Sequence, residues 1–242
     1  MDQPGTMAFA YGQRPFLSGG RGPVALVLVL VLLVGGWAWA QGLVFGEAVL
    51  QWVQQRYGDE ARQRVEHLQD LVDDYADASE QTQLEQVNRF FNGIAYDSDF
   101  AMWDRKDYWA TPYEVLGIDA ADCEDYAISK YFTLISMGVA EERLRITYVK
   151  SLTLDEAHMV LAYYPTADAE PLILDNLRDS IEPAGRRADL VPVYSFNGAD
   201  LWLAANRADS RRVGSADRLS RWQAYQARLN RQMAVGIDGG RP

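Results

Sequence analysis

Hydrophobic and polar positions change pattern several times along the chain. From Gly22 to Gly46 no residue is charged, and Val24–Val34 is unbroken hydrocarbon. Such a run is long enough to span a bilayer as a helix. Arg14 and Arg21 precede it, which sets residues 1–22 on the cytoplasmic side. Residues 23–46 are then either a secretory signal peptide, with Ala38-Trp39-Ala40 as a small-x-small cleavage site, or a retained membrane anchor. A buried core helix is the third reading, and nothing polar in the run favours it. Both membrane readings put the remainder of the chain in the periplasm of a bacterium, soluble after cleavage or anchored to the inner membrane.

After residue 46 the pattern becomes helical. Val53, Tyr57, Val65, Leu68, Leu71, Val72 and Tyr75 recur at helical spacing through a polar stretch, which predicts one or two amphipathic helices over 47–78. His67 lies on that stretch as a solvated or half-buried side chain. Leu84, Val87, Phe90 and Phe91 predict a further helix over 80–92, stopped at Gly93. Residues 94–121 lose the period and read as irregular. They hold Asp97, Asp99, Trp103, Asp104, Asp107, Tyr108 and Trp109, either lining a groove or packing a long loop on the core. Residues 123–137 are the most helical segment, with Asp122 as N-cap, Glu124 and Asp125 in the first turn and Gly138 at the end. The period then falls to two: Leu144–Lys150, His158–Tyr164 and Leu172–Leu177 predict strands, with a turn over Pro165–Pro171. Pro183, Pro192, Tyr194 and Phe196 suggest another edge strand. Helices, a central helix and then consecutive strands predict an α+β fold with an antiparallel sheet. The domain is drawn over 47–206. Residues 207–242 are set apart as an Arg-rich tail, with a helix face at Leu219, Trp222 and Leu229, either packed on the domain or free for docking. Gly236–Pro242 is read as disordered.

Charge narrows the function. The chain of 242 residues holds 23 Lys+Arg against 34 Asp+Glu; without residues 1–40, which carry two Arg and one Asp, the balance is 21 to 33, a net of −12. An acidic exported domain suits proteins, calcium or small solutes and argues against nucleic acid. One cysteine excludes an intrachain disulfide framework, a zinc ribbon and a cysteine-ligated iron–sulfur cluster.

That cysteine carries the candidate chemistry. Cys123 sits at a helix start, where free backbone N–H groups and the helix dipole favour a thiolate. His158 follows at the start of a strand and Asp175 in the next, so an antiparallel pair can bring them together on one face. The His would take the thiol proton and the Asp would orient the ring. The competing reading is an inert Cys, a surface His and a turn Asp. Asp122, Glu124 and Asp125 crowd the thiol and oppose its ionisation. They are either ordinary capping acids or oxygen ligands for Ca²⁺.

Several blocks carry a family resemblance: Asp107–Glu114, Asp122–Tyr131, Leu144–Lys150, Ala157–Leu161, Leu174–Leu177 and Pro192–Asn197. In this order they closely resemble the bacterial transglutaminase-like cysteine proteinases, within them the LapG-type periplasmic proteases, over about Gln86 to Trp202. The resemblance implies a papain/transglutaminase-like fold and a catalytic triad of Cys123, His158 and Asp175. It also implies calcium held by Asp122, Glu124 and Asp125. The implied activity is calcium-dependent cleavage of the N-terminal region of a large surface adhesin (LapA-type) near a di-alanine, releasing it and dispersing a biofilm. An inner-membrane cyclic-di-GMP receptor (LapD-type) would sequester the protease. A transglutaminase or amidase with the same thiol, and a non-catalytic receptor-binding module, are the alternatives. The Cys123 backbone N–H is one oxyanion donor on this reading, and Trp103 and Trp109 are candidates for the second.

Overall fold

Three amphipathic helices precede residue 93, where the helical period predicts them. In the computed structural model, which describes residues 42–204 and 210–237, they are α1 (Glu47–Tyr57), α2 (Asp59–Tyr75) and α3 (Glu80–Asn92). Their inward positions Val53, Val65, Leu68, Leu84, Val87 and Phe91 are buried, while His67 is exposed with its ring edge-on to Phe90. The charge-free run up to Gln41 and the cleavage-site candidate lie outside the described residues. Among those residues no helix is long and apolar enough to cross a membrane.

The segment 94–121 is more ordered than its pattern predicts. Ala95–Tyr96 (β1) pairs in parallel with Ala120–Ala121 (β2), and two short helices, α4 (Asp99–Trp103) and α5 (Pro112–Ile118), stand between them. Each begins on a polar cap: Ser98 for α4, and for α5 the capping box of Thr111 and Glu114 with Pro112 behind it. These helices are too short for periodicity to reveal.

Helix α6 (Cys123–Ser136) is the axis of the molecule. Its first turn holds Glu124 and Asp125, Gly138 follows at φ +90°, and residues 125–134 are buried all round. A helix apolar on every side must be wrapped by other elements. Here α3 and α5 pack on it, and the sheet closes the other side.

The seven-stranded sheet runs β6-β5-β4-β3-β7-β8-β9 with every neighbouring pair antiparallel. Strands β3 (Leu144–Ser151), β4 (Glu156–Tyr163) and β5 (Leu172–Asp175) agree with the period-two runs, except that Asn176 and Leu177 form the turn into β6 (Arg178–Pro183). Met159, Leu161 and Tyr163 join the main core, and Val160 and Ala162 join a smaller cluster with Val149, Ile173 and Leu190. One expected edge strand becomes two strands. Pro183 ends the true edge, β6, but Pro192 lies in β7 (Leu190–Phe196), between β3 and β8. An interior strand tolerates this proline because the β3–β7 register shifts at Tyr148/Val149, next to it.

The chain after residue 206 is not separate from the core. β8 (Asp200–Ala204) and β9 (Ser210–Ser215) complete the sheet, and α7 (Ser220–Ile237) returns across the helical side. Trp222 is fully buried, stacked on Tyr225 at 5.2 Å and close to Phe132 and Phe196. Arg211 and Arg212 lie on a strand rather than on a helix, and residues 236–237 are helical rather than disordered. Residues 238–242 lie outside the described residues.

Candidate active site

The β1–β2 bridge fixes the approach to the nucleophile candidate. Tyr96 pairs with Ala121, and Asp97 N–H donates to Ala121 O at 3.1 Å, so the chain enters α6 in a set direction. Cys123 is then the first helical residue and half-buried. The backbone N–H of Met159 on β4 reaches toward its sulfur. That amide lies in the peptide bond joining His158 to Met159, so the backbone at the start of β4 runs past the Cys123 sulfur. The S–H, however, is directed at Glu124 Oε2, 3.1 Å away. Burial pushes the thiol pKa up strongly, and the charges of Glu124 and Asp122 add to it.

His158 and Asp175 meet as the spacing predicts. The register that pairs Leu161 with Leu174 makes them diagonal neighbours on one sheet face. His158 Nε2 lies 2.8 Å from Asp175 Oδ1, and both side chains are buried. Burial works against a charge on Asp175, but hydrogen bonds from His158, Arg187 and the Leu177 N–H outweigh it and hold the carboxyl well below its usual range. With Nε2 engaged by the carboxylate, Nδ1 is the nitrogen left for a thiol proton.

Behind this pair lies a polar knot that sequence reasoning missed. Lys130, two turns down α6 from Cys123, is fully buried and donates to Asn88 Oδ1 at 2.8 Å and Asn92 Oδ1 at 2.6 Å. Asn92 Nδ2 in turn donates to the Asp175 carbonyl at 3.0 Å. Burial pushes the Lys130 pKa down to about 7.

The acidic residues form a larger group than the three expected. Carboxylate oxygens of Asp99, Asp122 and Asp125 lie within 4.8 Å of one another, and so do those of Asp99, Asp107 and Glu124. Asp99 joins the two sets; Asp122, Glu124 and Asp125 alone do not make one. Asp125 also serves as a helix-start acid, accepting Ala110 N–H at 2.6 Å. Asp99 Oδ1 and Asp122 Oδ1 are buried without a partner. Burial and mutual repulsion push Asp122 up to about 9 and Asp99 up to about 6, and raise Asp125 as well. Crowded, orphaned oxygens with no nitrogen or sulfur donor among them fit a hard divalent cation. Asp99 and Asp107 were visible as acids in the aromatic loop, but only the fold of that loop turns them toward α6.

A cysteine heading a buried helix, beside an antiparallel sheet carrying a histidine–aspartate pair, is the layout of a papain- or transglutaminase-type thiol enzyme. The family model described as Bacterial transglutaminase-like cysteine proteinase matches residues 50–190, and the chain belongs to that family. It is a cysteine peptidase. LapG of Legionella pneumophila in an EGTA-treated form is 42% identical over 78% of this chain and 99% of its own, with a TM-score of 0.69. Its calcium-bound form is 44% identical over 74% of this chain and 97% of its own, with a TM-score of 0.66. No curated protein matches the chain.

Proposed function

We propose that the chain is a calcium-dependent periplasmic endopeptidase with Cys123 as nucleophile, His158 as general base and acid, and Asp175 as the orienting carboxylate. The observation that carries this reading is the buried 2.8 Å His158–Asp175 pair, which joins β4 to β5 on the sheet that packs against α6, the helix Cys123 heads. His158 Nδ1 takes the thiol proton, and the thiolate attacks the scissile carbonyl carbon. The C–N bond breaks as His158 returns the proton to the departing amine. A water molecule, deprotonated by His158, then hydrolyses the thioester and restores the thiol. The Cys123 backbone N–H at the helix head is an oxyanion donor. Of the two tryptophans considered for the second, Trp103 has a buried indole N–H without a partner, whereas Trp109 is stacked on Phe196.

Asp99, Asp107, Asp122, Glu124 and Asp125 are the residues that would hold calcium, which supplies the positive charge that offsets carboxylates crowding the thiol. The relative's calcium-bound structure supports calcium as the ion. Family membership supports the substrate reading: the N-terminal region of a large surface adhesin, cut near a di-alanine, under control of an inner-membrane cyclic-di-GMP receptor. The test is cleavage of a purified adhesin fragment containing the di-alanine. Cleavage is expected with calcium, and not with excess EGTA or with receptor loaded with cyclic-di-GMP. Undiminished cleavage in EGTA would contradict the calcium requirement, and an intact fragment under every condition would contradict the substrate.

A further inference from the structure

Both oxygens of Asp175 are committed. Oδ1 faces His158 Nε2 at 2.8 Å and accepts Leu177 N–H at 3.1 Å. Oδ2 accepts Arg187 Nη2 at 2.6 Å. Arg187 is itself pinned from the far side, with Nε on Asp189 Oδ1 at 3.0 Å and Nη2 on Asp189 Oδ2 at 2.9 Å. The side chains of Asp175 and Arg187 are 0% and 1% exposed. Desolvating a guanidinium this completely is costly, and an apolar side chain of like volume often serves stability as well or better. Stability alone therefore does not account for an arginine here. What Arg187 adds is geometry. A carboxylate held only at Oδ1 can turn about its own axis and take the His158 ring with it, whereas one clamped at both oxygens cannot.

We infer that Arg187 is a positioning residue: its planar fork, braced by Asp189, fixes the Asp175 carboxylate and through it the His158 ring, so that Nδ1 faces the Cys123 sulfur. This rests on the triad proposed above. Arg187 touches no reacting atom. Lysine would bring the charge to the same place but only as a point donor without the fork.

The test compares Arg187→Met, Arg187→Lys, Asp189→Asn and Asp175→Asn in the calcium-loaded full chain, by steady-state kinetics and by the low-field ¹H resonance of the His158 Nε2–H. The chain has only two histidines, so His67→Gln assigns that signal. Arg187→Met is expected to lower kcat on the order of 100-fold, the scale of a misaligned reacting group, with KM within about twofold. The low-field proton should disappear, and Arg187→Lys should recover only part of kcat. Unchanged kcat and a retained resonance in folded Arg187→Met would overturn the inference, as would full recovery by lysine. A loss that falls mainly on KM while the resonance persists would overturn it too. If Arg187→Met does not fold, Asp189→Asn decides: a several-fold fall in kcat at constant KM supports the clamp, and none contradicts it. Asp175→Asn separates the two levels. If it turns over normally the triad reading itself fails; if it is inactive while Arg187→Met is not, only the positioning role fails.

Discussion

At the scale of single residues, the site is a contest between a thiol and the carboxylates around it. Burial and the charges of Glu124 and Asp122 hold the Cys123 proton on, so neutralising those charges should release it. Iodoacetamide should therefore alkylate Cys123 faster in calcium than in EGTA at one pH, read by intact mass; equal rates would mean that the ion does not act on the thiol. Calcium should also raise the melting temperature, because it binds the folded state selectively. Asp99→Asn should lose most of that rise, which differential scanning fluorimetry measures. The placement of Cys123, His158 and Asp175 was legible because each sits at a recognisable point, a helix head or neighbouring strands. Asp99 and Arg187 were not. Asp99 reaches the cluster through a short capped helix without periodic signal, and Arg187 reaches Asp175 from a loop before β7.

At the scale of elements, α6 does two jobs. Its head presents the sulfur, and its body carries Lys130 into a buried amide cluster that grips the Asp175 hairpin through Asn92. A lysine whose folded pKa is about 7 against an ordinary 10.5 binds fewer protons folded than unfolded between those values. Stability should then rise with pH from about 7 to 10.5, and level off below 7 where both states are charged. Urea titrations across that window should show the rise in the parent and a flatter curve in Lys130→Met, and identical slopes would contradict the buried charge. The helix itself was legible from Asp122 to Gly138. The burial of its lysine was not, because an element enclosed on all sides has no polar face to mark which of its polar residues are dry. The β7 proline misled for a related reason: proline signals an edge unless a bulge, set by the partner strand, excuses it.

At the scale of the whole molecule, the arginine-rich end of the sequence is structural. Trp222 stacks among Tyr225, Phe132 and Phe196, and Gln232 joins the α5 capping box by accepting from Thr111 Oγ1 at 2.6 Å and donating to Glu114 Oε1 at 3.1 Å. Of the two readings the sequence left open for the Leu219, Trp222 and Leu229 face, the packed one is what the structure shows, with Trp222 and Leu229 buried. Trp222→Ala should cost about 3–5 kcal/mol, as large-to-small core substitutions do, and chemical denaturation would measure it. A change under about 1 kcal/mol would mean that α7 is an appendage. The antiparallel α+β plan was legible because the alternating runs follow the helices in order; β8 and β9 were not, being short strands of mixed character.

The most direct measurement is the mass of the enzyme caught during turnover. Acid-quenched samples from hydrolysis of a di-alanine peptide, with calcium present, should contain protein heavier by the N-terminal acyl fragment. Digestion should locate that fragment on Cys123, and Cys123→Ala should show neither adduct nor cleavage. Cleavage that persists in Cys123→Ala at the parent rate would contradict the assignment of this sulfur as the nucleophile.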